Sequence, residues 1–460
     1  MNVAIKLDNQ SCGFQMRLQE AAEALGARWA GEDVMLEGVS TDTRTLQAGQ
    51  LFVALRGPNF DGHDYLAEAK AKGAAACMVE KPVANCPALI VGDTRLALGQ
   101  LARAWRRHFA MPLVAVTGSN GKTTVKEMLA SIFAQQGEVL ATRGNLNNDI
   151  GVPLTLFGLD SSRSSAVIEM GANHAGEIAY LTSLAEPNVA VITNAAAAHL
   201  EGFGSLEGVA KAKGEIYQGL KQDGTAIINA DDDYADLWRG LTKDKNVLSF
   251  GLQNPADISA RWQAGDRGSQ IHTTTPEGKV KLHLALLGEH NVMNALAAIA
   301  AAQAVGIKLT TIKAGLEAMQ PVAGRLQLKA GLQGSRLIDD TYNANPASLA
   351  AAIEVLAAFG GKHILVLGDM GELGDDTEAL HAEAGRFAKA HAVDRLYTVG
   401  PMAAVAAKAF GTGAQPCENH EAVSKALQPE LDADSTVLVK GSRLSQMERI
   451  VQMLVSGGTD

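Results

Sequence analysis

Cysteine is scarce: four in 460 residues, Cys12, Cys77, Cys86 and Cys417, with no C-x-x-C pair among them. That scatter argues against a disulfide framework and a thiolate zinc site, and it predicts a reducing, cytoplasmic setting. Positive charge is not in excess. Forty Lys and Arg face 50 Asp and Glu, a formal charge of −10, so a nucleic-acid partner has no electrostatic support and solubility is favoured. No stretch approaches the ~20 apolar residues of a membrane-spanning helix. The Ala-rich run 295–305 is too short and reads as a buried helix, so no membrane insertion is expected. Met1-Asn-Val-Ala-Ile-Lys6 lacks the pattern of a secretory signal. No G-x-G-x-x-G run is present, so a nicotinamide cofactor is not indicated. Internal repeats and low-complexity segments are also lacking.

What remains is a soluble α/β composition, 47% apolar and 20% charged, on a chain long enough for about three domains. The first unit reads as a helix at 18–25, a strand at 50–57 ending in a turn, a helix at 65–72 and a strand at 75–79. Pro82 and Pro87 flank a linker. The middle unit alternates strands at 114–117, 166–169, 189–193 and 226–229 with helical patterns, the signature of a parallel sheet covered on both faces. Residues 257–287 change to short polar strands with turn residues, an antiparallel edge, and a helix follows at 291–305. From Gly324 alternation resumes with strands at 336–339, 363–367, 395–399 and 436–439 and helices at 348–359, 377–391, 402–410 and 446–454. This predicts a second doubly wound, Rossmann-like domain.

The run with most chemistry is Val114-Ala-Val-Thr-Gly-Ser-Asn-Gly-Lys-Thr-Thr124. A strand pattern enters a glycine turn and a helix pattern leaves it, the order a phosphate-binding loop needs. Gly118 and Gly121 let backbone N–H groups approach phosphate oxygens, with Ser119 and Asn120 between them. Lys122 can reach the outer phosphates, and the hydroxyl of Thr123 or Thr124 stands at the helix start, where Thr123 can hold Mg²⁺. The longer loop pattern wants a glycine where this chain has Val116.

Other candidates sit at strand ends, where ligands of open α/β sheets gather. Glu169 can hold Mg²⁺ beside the loop; the plain alternative is a charged loop residue. His199 is equally a structural histidine or a metal ligand. Lys211 and Lys213 on a helical stretch read as solvated charge. His290, Asn291 and Asn294 share a helix face; they are caps or, for the amides, readers of a purine edge. Asp339 and Asp340 end a strand before a turn-rich run, either as a plain loop or as ligands of ribose hydroxyls. Asp369 and Lys440-Gly-Ser-Arg443 occupy similar positions in the last unit, and the latter's cations suit an anionic substrate.

Taken together, these runs resemble the Mur ligase family of cell-wall peptide synthetases over essentially the whole chain. The resemblance implies three domains: 1–86 binding the uridine nucleotide of a UDP-muramyl peptide, 87–322 binding ATP, and 323–460 completing the ligase. Thr117-Gly-Ser-Asn-Gly-Lys-Thr-Thr124 is similar to the family's shorter ATP loop, which accounts for Val116. Glu169 and His199 match its magnesium ligands. Lys213 matches a lysine carbamylated in the family, whose carbamate helps to place a second Mg²⁺. Asn291 and Asn294 would lie near adenine, and Arg325 would reach ATP from the last domain. Ser40-Thr-Asp-Thr-Arg44 and Phe60-Asp-Gly-His63 resemble segments holding the uridine nucleotide, which assigns Ser40, Thr41, Asp42, Arg44, Asp61, Gly62 and His63 to substrate. Gly144-Asn-Leu-Asn-Asn-Asp-Ile-Gly-Val-Pro153 and Asp340-Thr-Tyr-Asn-Ala-Asn-Pro346 are similar to runs of the members that add D-alanyl-D-alanine to UDP-muramyl tripeptide. They assign Asn145, Asn147, Asn148, Tyr342 and Asn345 to substrate and Asp340 to nucleotide. The members that add the third residue carry Asp-Asn-Pro-Arg in the last domain, a run absent here. The implied protein is a monomeric, ATP- and Mg²⁺-dependent amide ligase working through an acyl phosphate. The rival readings are a third-residue-adding ligase, a folylpolyglutamate synthetase and a non-catalytic ATP-binding switch.

Overall fold

The computed structural model describes residues 13–83, 86–197 and 200–455. Three sheets of five or more strands follow one another along the chain, with two small two-stranded ribbons in the first unit. The first orders its strands Arg28–Ala30, Ala88–Ile90, Ala76–Val79, Leu51–Val53 and Val39–Ser40, all parallel except the Arg28–Ala30 edge. Ala88–Ile90 thus continues this sheet past the expected break at 86. Three apolar residues are too few for a period to show in the sequence.

The central sheet runs Glu138–Ala141, Arg163–Glu169, Leu113–Thr117, Val189–Ile192, Thr225–Asn229, Asn246–Gly251, Ile258–Gly265, Gly268–Thr275 and Gly278–Leu284. The first seven strands are parallel and the last two antiparallel. Leu113–Thr117 is buried at every position, the unbroken apolar run of a strand covered on both faces. Its odd and even residues enter different cores. Leu113 and Ala115 face the helices Thr94–Arg106 and Glu177–Ala185, while Val114 and Val116 face Lys122–Phe133 and the Ala-rich helix Glu289–Ala304. Gly268–Thr275 alternates buried and exposed residues instead, as a one-sided antiparallel edge should. The first of these cores continues into the N-terminal unit, where Phe14 meets Trp105 edge-on with ring centroids 5.1 Å apart.

The last sheet orders Gln327–Ala330, Arg336–Asp340, Ser435–Lys440, Lys362–Gly368, Arg395–Val399 and Ala414–Cys417, with only the first strand antiparallel. Ser435–Lys440, late in the chain, inserts between two earlier strands. That creates a switch in strand order, and Asp340 and Lys440 sit at the carboxyl ends beside it. Among the described residues no helix is long and apolar enough to cross a membrane.

Candidate active site

The phosphate loop joins the central strand Leu113–Thr117 to the helix Lys122–Phe133. Gly118 has φ +144°, and a Cβ there would stand 1.9 Å from Thr193 Oγ1. Gly121 has φ +82°, and its Cβ would lie 2.3 Å from Asn294 Oδ1. Only glycine fits either place. Val116 stays inside the strand, buried and paired in register with Glu169, so the turn begins at Gly118.

A second strand-end loop braces the turn. Asn120 N–H donates to Asn194 Oδ1 (3.0 Å), Ser119 N–H to the Asn194 carbonyl (2.9 Å), and the Ser119 hydroxyl to Ala196 O (3.0 Å). Lys122 Nζ donates to the carbonyls of Gly118 (2.7 Å) and Ser119 (3.1 Å). Burial lowers the pKa of this ammonium; the nearby Arg325 charge adds to that and Glu169 opposes it.

Thr123 is the meeting point. Its hydroxyl donates to Glu169 Oε2 (2.8 Å) and accepts from Arg325 Nη2 (3.0 Å). Glu169 Oε1 accepts from Asn147 Nδ2 (2.8 Å). Four side chains from four segments, one of them in the last unit, therefore form one hydrogen-bonded knot. Arg325 also lies over the Tyr342 ring, 4.2 Å from its centroid, and Asn345 Nδ2 donates to Asn120 Oδ1 (2.9 Å). The phosphate loop is thus touched by the last unit at two points.

Asn294 Nδ2 donates to Asn291 Oδ1 (3.1 Å), and Asn291 Nδ2 to Leu287 O (2.8 Å). This chain of amides places Asn294 against the phosphate loop at Gly121. Asp340 Oδ1 accepts from Leu326 N–H (3.2 Å), and Oδ2 pairs with the buried Lys440. Lys213 is buried, with Nζ 5.2 Å from the Phe203 ring centroid. Burial, then the charge of Lys122, brings its amine down to about 7. Lys211 is exposed and paired with Glu207, a solvated charge as read. His199 lies outside the described residues.

These groups line one cavity of about 1080 Å³: Ser119 to Thr124, Asn147, Asn148, Glu169, Lys213, Asn291, Asn294, Arg325, Asp340, Tyr342 and Asn345. That is at the upper end for a single small-molecule site and leaves room for more than a nucleotide. Ser40, Thr41, Asp42, Arg44, Asp61, Gly62, His63 and Asn145 are not brought to it. Asp42 grips Arg44 bidentately (3.0 and 2.7 Å), which holds its carboxyl near 2. Asp61 accepts from His63 Nδ1 (2.6 Å), whose Nε2 accepts the Glu80 N–H (3.2 Å). Thr193, Asn194, His290, Arg95, Asp149 and Tyr180 also line the cavity, and sequence reasoning gave them no ligand role. The signal for Asn194 was its place just past the strand Val189–Ile192; the Arg95–Asp149 pairing had none, because the two lie 54 residues apart.

Residues 116–302 match the Mur ligase middle domain, 324–443 the Mur ligase glutamate ligase domain, and 36–106 the Mur ligase family catalytic domain. The UDP-N-acetylmuramoyl-tripeptide–D-alanyl-D-alanine ligase of Escherichia coli K12 is 45% identical over 451 residues, 97% of this chain and 100% of that protein. The structure of UDP-N-acetylmuramoylalanyl-D-glutamyl-2,6-diaminopimelate–D-alanyl-D-alanyl ligase from Acinetobacter baumannii superposes with a TM-score of 0.88 at 36% identity, covering 96% of this chain and 99% of that one. MurF ligase from Thermotoga maritima in complex with ADP gives 0.83 at 29% identity, covering 90% and 96%. With family models spanning more than half its length and a near-full-length relative at this identity, the chain belongs to the Mur ligase family.

Proposed function

We propose that the chain joins D-alanyl-D-alanine to a UDP-N-acetylmuramoyl tripeptide at the expense of ATP, the tripeptide ending in 2,6-diaminopimelate as in the name of the Acinetobacter relative. The observation that carries this reading is the knot at Thr123, where a phosphate loop and an arginine from the turn that leads into the last sheet face one large cavity.

The chemistry needs two steps. The tripeptide's terminal carboxylate attacks the γ-phosphorus, ADP leaves, and an acyl phosphate forms. The free amine of D-Ala-D-Ala then attacks the acyl carbon, phosphate leaves with the bonding pair, and the amine gives up a proton. Negative charge spreads over the phosphoryl oxygens in the first step, so placed cations and N–H donors do most of the work. Lys122 and Arg325 both line the cavity at the phosphate loop and would supply that charge. Asn291, Asn294 and Asp340 take the nucleoside side of the cavity.

The donor set fits magnesium. Thr123 Oγ1 and Glu169 Oε2, 2.8 Å apart, are hard oxygens at the mouth of the phosphate loop, although no cluster of three or more His, Cys, Asp or Glu occurs among the described residues. Bound there, Mg²⁺ would neutralise charge on the phosphate oxygens. Lys213 enters the same reading as a carbamate: a buried amine brought to about 7 is about half neutral at that pH, the form that adds CO₂, and the product is a metal-binding anion in place of a cation. The uridine nucleotide falls to the first unit, around Ser40–Arg44 and Asp61–His63; we take the unit of the central sheet, up to residue 322, as the ATP domain and 323–460 as the ligase domain, with residues 88–90 kept in the first sheet.

The test is mass spectrometry of the product formed from ATP, UDP-muramyl tripeptide and D-Ala-D-Ala, with phosphate release followed in parallel. The expected product carries both D-alanines, with one phosphate released per amide. Phosphate release that does not need the dipeptide would point instead to an ATP-hydrolysing switch.

A further inference from the structure

One wall of the cavity carries a charged cluster that the reaction just described does not use. Arg95 stands in the first turn of Thr94–Arg106, Asp149 in the loop before Gly151–Leu156, and Tyr180 on Glu177–Ala185. Arg95 Nη2 donates to Asp149 Oδ1 (2.8 Å) and its Nε to Oδ2. The two side chains are 50% and 32% exposed, and ion pairs so exposed add little to stability. Both partners line the cavity, so this fork-on-fork pair is open to a ligand there. Asp93 caps the helix with Oδ1 on the N–H groups of Arg95 and Leu96 (2.8 and 3.0 Å), which fixes where Arg95 starts. The Tyr180 hydroxyl is enclosed and has no hydrogen-bond partner. It stands over Gly99, where a Cβ would be only 2.1 Å away. Burial, then the charges of Asp149 and Asp93, push its phenol up to about 12, so it remains an O–H donor.

The cluster is tied to the reacting end through one loop. Asn147 holds Glu169, and Asp149 follows two residues later. A substrate whose carboxylate reacts at the Thr123–Glu169 knot can therefore reach this wall with its next group. Diaminopimelate makes that next group informative. Its two ends are alike, each a carbon bearing an amine and a carboxylate. In the tripeptide one end is joined through its nitrogen and carries the carboxylate to be activated. The other is a free zwitterion whose carboxylate must be kept from the phosphate.

We propose that Arg95, Asp149 and Tyr180 form the subsite for the free amino-carboxylate end of the third residue, and so set both substrate choice and which carboxylate reacts. Arg95 takes the carboxylate as a planar fork, Asp149 takes the ammonium, and the Tyr180 hydroxyl, uncovered as the ion pair opens, donates to the remaining carboxylate oxygen. The charges of the pair match those of the ligand, so the ion pair opens into a ring of four charges with no net charge buried. The inference rests on the ligase reading above. A tripeptide ending in lysine offers Asp149 its ammonium and offers Arg95 nothing.

The experiment measures kcat/KM for UDP-muramyl tripeptides ending in diaminopimelate and in lysine, for the unaltered enzyme, Arg95→Ala and Tyr180→Phe. A charge-assisted bidentate contact is worth about a 10- to 100-fold preference for diaminopimelate. Arg95→Ala should bring the ratio towards one, mainly through KM for the diaminopimelate substrate, and Tyr180→Phe should lower the ratio about 3- to 10-fold. A ratio unchanged in Arg95→Ala, or a starting enzyme that favours lysine, overturns the subsite. Failure of the unaltered enzyme to ligate either tripeptide, while still binding ATP, sinks the ligase reading itself and is a separate result.

Discussion

Thr123 shows how much one side chain can hold. Its hydroxyl joins the carboxylate of Glu169 to the guanidinium of Arg325. Thr123→Ala should lower kcat roughly 100-fold, in the range for losing one placed polar group in a charge-stabilising site, while the melting temperature falls little because the side chain fills no core. Steady-state phosphate release and a thermal melt check both halves. Lys213 is tested by loss and rescue. Lys213→Ala should be nearly inactive, and short carboxylic acids should restore part of the activity by standing in for a carbamate; an active, acid-insensitive variant removes the carbamate. His290 bears on stability instead. Burial, with the Lys440 charge, holds its imidazole down to about 4, against 6.5 for an unperturbed histidine. Between those values the unfolded chain binds a proton that the folded chain does not. Unfolding free energy must therefore fall as pH drops from about 6.5 to 4, by roughly 1–3 kcal/mol from this one group. Denaturant melts of His290→Gln across that window should show a correspondingly flatter pH dependence than the unaltered protein.

At the level of elements, Arg325 is aimed by a turn that would not keep its shape unaided. Gly324 and Leu326 on either side of it have φ of +69° and +49°, and a left-handed leucine costs roughly 1–2 kcal/mol. The turn is pinned by the neighbouring strand end: Tyr342 N–H donates to Gly324 O (3.1 Å), Leu326 N–H donates to Asp340 (3.2 Å), and Asp340 is held in turn by Lys440, which also donates to Asn343 O (3.1 Å). Lys440→Met should lower kcat about tenfold. If it acts through the turn, the same change made in Arg325→Ala should add less than about twofold, because both then remove one interaction. Independent roles would give multiplied losses. Much of this architecture was legible beforehand. The central parallel strands are continuous apolar runs, the switch to polar strands after residue 257 became the antiparallel edge, and strand, glycine turn and helix located the phosphate loop. The short strands Glu138–Ala141, Ala88–Ile90 and Ala414–Cys417 were not legible, since partners rather than composition make them strands. The first sheet runs on past residue 86, where a break was expected, for a related reason. Thr94–Arg106 packs in the core that runs on into the first unit, and a helix shared by two sheets leaves no mark in local sequence. The Arg95–Asp149 pair was silent because only the fold brings its members together.

Across the whole molecule, the last unit reaches the phosphate loop through two polar bridges, Arg325 to Thr123 and Asn345 to Asn120. Their partners belong to the central and the last unit, so they exist only when the last unit is seated on the central one, and a bound nucleotide between them should favour that seating. Small-angle scattering should show compaction when ATP and tripeptide are added. The Asn345 bridge can be weakened without damaging its helix. Asn345 caps Pro346–Ala357, accepting from Ser348 N–H (2.9 Å) while the Ser348 hydroxyl takes its own N–H. Serine caps a helix as well as asparagine does, but it lacks the amide that donates to Asn120. Asn345→Ser should therefore keep the melting temperature within a few degrees and lose one net hydrogen bond of closure, about 1 kcal/mol. That amounts to roughly a fivefold shift towards the open arrangement, read as weaker compaction at a given nucleotide concentration and a matching rise in the KM for ATP. Unchanged compaction and KM in a stable Asn345→Ser protein would show that the Asn345 bridge does not set the seating of the last unit.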